Sequence, residues 1–107
     1  MTKSQQLAFV RCLYEMANAD GQVVRSESNI IIEVLNWWNF TTDDLNRALA
    51  IDIQNAATQL KSLNDSEKVQ LGVLLGRISS ADGRICSNEH MFFNWLDNQL
   101  GLSKLID

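Results

Sequence analysis

The sequence predicts an all-α domain, and three observations carry that reading. Proline is absent and there are only five glycines, so little interrupts helices. Apolar residues recur at helical spacing along most of the chain. One turn sequence is used twice: Ala19-Asp20-Gly21-Gln22-Val23 leads to Glu27, and Ala81-Asp82-Gly83-Arg84-Ile85 leads to Glu89. Both copies read A-D-G-x-(Val/Ile)-x-x-x-Glu, with helical stretches on either side. The expected architecture is a compact bundle of about six helices, built as two helix–turn–helix halves related by pseudo-two-fold symmetry.

The first helix is expected from Ser4 to about Asn18, with Leu7, Phe9, Val10, Leu13, Tyr14 and Ala17 on its apolar positions. Gly21 ends it, since glycine enters positive φ without a Cβ clash. The second helix spans about Arg25 to Trp38, with Ile30, Ile31, Val34, Leu35 and Trp38 facing the core. Thr41-Thr42-Asp43-Asp44 is a capping signal, with carboxylates facing the helix dipole. A third helix follows from about Asp43 to Ala50, and a fourth reaches about Leu63. Asn64-Asp65-Ser66-Glu67 reads as a capping box opening a fifth helix that ends near Ser80. The last helix runs from about Ser87 to Leu100 and stops at Gly101. The tail from Leu102 to Asp107 has no assigned structure. Phe92, Phe93 and Trp95 are expected in the core.

All 107 residues form one domain. The halves lie at about 4–38 and 65–100, with connector helices at about 42–63. In the repeat, Leu13 falls on Leu75, Met16 on Ile78, Asp20 on Asp82, Glu27 on Glu89, Ile31 on Phe93 and Val34 on Leu96.

The net charge of −4 comes with no Lys/Arg cluster, which argues against a nucleic-acid partner. No apolar run approaches membrane-spanning length, so direct membrane insertion is not expected. The two cysteines, Cys12 and Cys86, form no paired motif and are expected as free thiols in a cytoplasmic protein.

Two readings of the repeated turn are open. Compared with a calcium-binding EF-hand loop, Asp20, Gly21, Val23 and Glu27 match its second half, with Asn18 before them. The acidic first position is missing, because Met16 and Ile78 stand there, so any calcium binding would be weak. A divalent cation such as calcium would draw on Glu15, Asn18, Asp20 and Glu27 at the first turn, and on Asp82 and Glu89 at the second. The first turn is the richer, because Glu15 and Asn18 have Arg77 and Ser80 as counterparts. Alternatively, the glycines end helices, and the carboxylates cap the next ones. Cys86 and His90 are four apart, but zinc needs further ligands.

The doubled motif resembles the tellurite-resistance TerB-like family, from about Leu7 to Leu100. Val24 and Cys86 stand where that family often has Asp, Ser or Thr. The resemblance implies an all-helical fold and no known enzymatic activity. It also implies a link to stress-response or membrane-associated complexes, and an acidic surface for divalent cations carried by Asp20, Glu27, Asp82 and Glu89. A similar module stands beside J-domains in some co-chaperones.

The expected function is a non-catalytic, stress-response-type protein-interaction module. The competing class is a weak divalent-cation sensor. No nucleophile–base pair or cofactor loop points to an enzyme. Ile32 and Trp37 are the candidate contacts for a protein partner or a second copy. Trp37 is rotated by about 100° from Trp38, so the two cannot share the centre of one core face.

Overall fold

The computed structural model describes residues 1–19, 25–80 and 87–106. Those residues form seven helices: α1 (Lys3–Ala17), α2 (Arg25–Trp37), α3 (Thr42–Leu49), α4 (Ile53–Leu60), α5 (Asp65–Ser80), α6 (Ser87–Leu100) and α7 (Leu102–Ile106). No strand occurs among them. The all-α expectation holds, with one helix more than the sequence suggested.

Helix α1 sits at the centre. Leu7, Ala8, Phe9, Val10, Cys12, Leu13, Met16 and Ala17 are all buried, and they fall on more than one face. A helix apolar on several sides must be wrapped, and α2, α3, α4, α5 and α6 all pack on α1. Its start is fixed by a capping box in which the Gln5 N–H donates to Thr2 Oγ1 and Thr2 N–H donates to Gln5 Oε1.

Capping chemistry sets three other starts. Thr41 and Asp44 form a reciprocal box at α3, and Asn64 and Glu67 form one at α5. Asp52 caps α4 by accepting from Gln54 N–H at 2.8 Å. Hydrogen bonds from the Thr41 backbone and from Lys3 hold the Asp44 carboxyl below the usual carboxylate range. Lys3 also lies 4.7 Å from the centre of the Phe40 ring, so it joins the start of α1 to the α2–α3 corner.

The helix contacts match what an exchange of the two halves requires. Helix α2 packs on α5, and α6 packs on α1. Leu13, Leu75, Met16, Ile78, Val34 and Leu96 are all buried, as their pairing in the repeat predicts, whereas Ile31 is buried and its counterpart Phe93 only half-buried. The exchange reaches past the motif: α3 packs on α1, and α7 packs on α5. Asn39 (φ 52°) and Gly101 (φ 71°) stand at the corners before α3 and α7. They are related by the same offset as Asp20 and Asp82.

Several boundaries differ from expectation. Helix α4 ends at Leu60 rather than near Leu63, although Leu63 is still buried. Helix α2 ends at Trp37, where the left-handed Asn39 turns the chain. Phe92, Phe93 and Trp95 are half-buried against the core, because α6 covers the bundle from outside. Gly21 and Gly83 lie outside the described residues; α1 ends at Ala17 with Asn18 as its cap.

The tail forms α7. Leu102 is fully buried, and Asp97 accepts hydrogen bonds from Ser103 N–H at 2.7 Å and Ser103 Oγ at 2.8 Å. These bonds, the backbone one foremost, hold the Asp97 carboxyl below the usual carboxylate range. Asp97→Ala is expected to cost about 1 kcal/mol, as loss of a helix cap does. The pH dependence has a definite sign: the stabilisation is present above about pH 3.9, the unfolded carboxylate value, and is lost as pH falls through the lowered folded value. Acid titration of thermal stability for wild type and Asp97→Asn would measure it, and the variant should lack that part of the acid loss.

Candidate functional site

The side chains of the repeated turns lie only partly within the described residues. Asp20 and Asp82 are outside them, as are Cys86 and the side chain of Glu27. Glu15, Asn18 and Glu89 are described, and the structure gives each a different setting.

Glu15 is engaged on α1 itself. Its Oε2 accepts from Arg11 Nη1 at 2.7 Å, one turn away. Arg11 is in turn anchored by donating from Nε to the Ile51 carbonyl at 2.8 Å. A guanidinium on Glu15 competes with any cation there. Asn18 caps α1, with Nδ2 donating to the Tyr14 carbonyl at 2.9 Å. Glu89 is in the first turn of α6 and only 3% exposed. It lines a cleft of about 280 Å³ together with Met16, Gly76, Ser79, His90 and Phe93. Among the described residues, no three His, Cys, Asp or Glu side chains come together as a metal-ligating group.

The α2 surface is clearer. Trp38 packs on the core, with its ring edge-on to Phe9 at 5.2 Å and 84°. Trp37, one position earlier, is 43% exposed, and Ile32 is 50% exposed. They lie about 140° apart on the helix. The outer ridge between them carries Asn29, Glu33 and Asn36, all exposed. Ile32 and Trp37 therefore edge one polar face rather than touching each other.

Trp37 lies on the α5 side of that face. Glu33, one turn earlier, accepts from Arg77 of α5 at 3.4 Å. Lys3 contacts Phe40, and the Met1 amino group pairs with Glu67, so the end of α2 and the start of α5 both lie near the start of α1. The two helices thus run in opposite directions. Val73, one turn before Arg77 and 50% exposed, is brought to the same end of the seam as Trp37. The sequence reading did not select Val73 or Arg77, because their relation to α2 depends on how the helices pack. Met16, Gly76, Ser79 and Phe93 were likewise not selected as site residues, since only folding joins them to Glu89.

The chain belongs to the family described as Tellurite resistance protein TerB, which it matches over residues 6–105. No curated protein and no solved structure matches it. No helix among the described residues is long and apolar enough to cross a membrane.

Two measurements bear on this region. Burial pushes the Cys12 thiol up to about 12, so it stays protonated and unreactive in the native state. Alkylation followed by mass spectrometry should modify Cys12 only after denaturation; rapid native labelling would contradict its burial. Calcium titration by calorimetry tests the turns. Asp20→Asn is expected to cost more affinity than Asp82→Asn, because the first turn offers the amide of Asn18 where the second offers Ser80. No heat with the wild-type chain would leave capping as the whole role of the carboxylates.

Proposed function

We propose that this domain is a non-catalytic protein-interaction module of a stress-response system, with its partner docking over the α2–α5 seam at Trp37. The observation that carries the reading is the exposure of Trp37 beside Trp38, which is half-buried against the core. Folding already uses the second tryptophan as a core anchor. The first is left on the surface, together with Val73 and an exposed Glu33–Arg77 pair. Tryptophan and arginine are the residues most enriched at interaction hot spots. Membership of a resistance family supports the stress-response setting. The partner is a protein with an apolar recess for the indole and polar groups for Asn36, Glu33 and Arg77. A second copy of the chain is the other occupant of this kind.

Paired substitutions test the reading. Trp37→Ala is expected to keep the wild-type melting temperature and to abolish partner recovery in affinity purification, or self-association in sedimentation. Trp38→Ala removes the edge-on contact to Phe9 and is expected to cost about 3 kcal/mol. If Trp37→Ala destabilises the chain as much as Trp38→Ala does, Trp37 serves the core and the docking surface is lost.

A further inference from the structure

Given the docking surface proposed above, the internal repeat indicates what covers it. Helix α4 lies on both α1 and α6. Two hydrogen bonds fix its course along α1. Arg11 Nε donates at 2.8 Å to the carbonyl of Ile51, just before α4. Gln5 Nε2 donates at 2.8 Å to Ser62 Oγ, just after it. Helix α4 therefore runs antiparallel to α1, past Ala8, which is fully buried. Exchange of the halves turns α1 into α5 and α6 into α2. The α1–α6 groove that α4 fills thus has the α2–α5 seam as its counterpart.

The seam is open where its counterpart is closed. At the same offset as Asp20 and Asp82, Ala8 falls on Gln70, Arg11 on Val73, and Glu33 on Trp95. Ala8 is buried, and Arg11 and Trp95 are half-buried, whereas Gln70, Val73 and Glu33 are all exposed. Positions on two different helices thus differ in the same direction. We propose that the seam receives an amphipathic α-helix of the partner protein, laid antiparallel to α5 over Gln70 and Val73 as α4 lies over Ala8 and Arg11. An amphipathic helix that lays its apolar face into a groove is a recurrent mode of recognition. Helix α4 does so within this chain, burying Ala56, Ala57 and Leu60. Gln70 is larger than Ala8, so the incoming helix stands further from α5 and fills the space with longer apolar side chains. Ridges of those side chains form the recess for the Trp37 indole. Its first turn comes beside Arg77, one turn beyond Val73. There an acidic residue, such as Asp52 supplies at the start of α4, matches both the guanidinium and the helix dipole.

The full chain extended after Asp107 by a copy of residues 46–63 tests this. Asp107 falls on Leu45 in the repeat, so the copy continues the second half in register. The tether holds the copied helix near the seam at high effective concentration, so weak recognition suffices. A second version adds Gln70→Ala, which gives the seam the small residue that α4 meets at Ala8. NMR follows the Trp37 indole and Val73 methyl signals. Docking is expected to shift both. Ala57→Pro in the appended copy alone breaks that helix and should restore the wild-type positions. The docked helix should also abolish partner recovery in affinity purification. The proposal is overturned if neither version shifts the two signals, if the proline copy shifts them equally, or if partner recovery survives docking. Self-association of the wild-type chain through Trp37 makes a second copy the occupant and overturns it too. The docking surface itself is judged separately. If no copy docks but Trp37→Ala still abolishes partner recovery, the surface stands and only the helix fails.

Discussion

The burial of α1 on several faces is the constraint on which the bundle depends. Its eight buried residues recur too densely for a single stripe, so no one neighbouring helix can cover them. Five helices share the task, and each is left with an outer face of its own. Even Arg11 is drawn into the scaffold, since its guanidinium spans the Ile51 carbonyl and Glu15. Glu15 is thereby committed to structure before any ligand is considered. The same central position puts Met16 in the lining of the cleft beside Glu89, so one helix serves both the core and that cleft.

The internal repeat is most visible at its corners. Asn39 and Gly101 are the two residues with left-handed backbone among those described, and they occupy equivalent places. Asparagine tolerates this region better than most side chains, and glycine enters it freely. At the first corner, Phe40 N–H reaches back to the Leu35 carbonyl at 3.0 Å, and at the second, Gly101 N–H reaches the Asp97 carbonyl at 2.7 Å. Each corner then sends a helix back onto the long helix that opens its half. Helix α3 lies on α1, and α7 on α5. The α1–α5 pairing thus becomes the centre of a six-helix arrangement, with α4 as the added link.

The helical class, the capping boxes at Thr41 and Asn64, and the apolar pairing of Leu13 with Leu75 were legible in the sequence, because each depends on residues close in the chain. The separation of Trp37 from Trp38 was legible for the same reason, as it follows from helical geometry alone. Helix α7 was not. Its support comes from Asp97, on the preceding helix, and from burial of Leu102 within the bundle. The cleft was also hidden. Glu89 reads equally well as a cap or a ligand, and nothing close in the chain ties Gly76 to it. Their common wall appears only when α5 and α6 are packed together.

The exposed part of Trp37 sets a scale for its partner. An indole at 43% exposure leaves roughly 100 Å² to cover, which contributes about 2–3 kcal/mol on burial. A stable interface needs about 800 Å² on each side. Trp37 and Val73 can anchor such a surface but cannot fill it. The remainder must extend over Asn29, Glu33, Asn36 and Arg77, whose polar groups need partners of matching geometry. The apolar anchor then contributes affinity, while the polar ridge discriminates between partners. An exposed ion pair contributes little to the stability of the free domain, so Glu33 and Arg77 can exchange it for contacts across the interface at small cost to the fold.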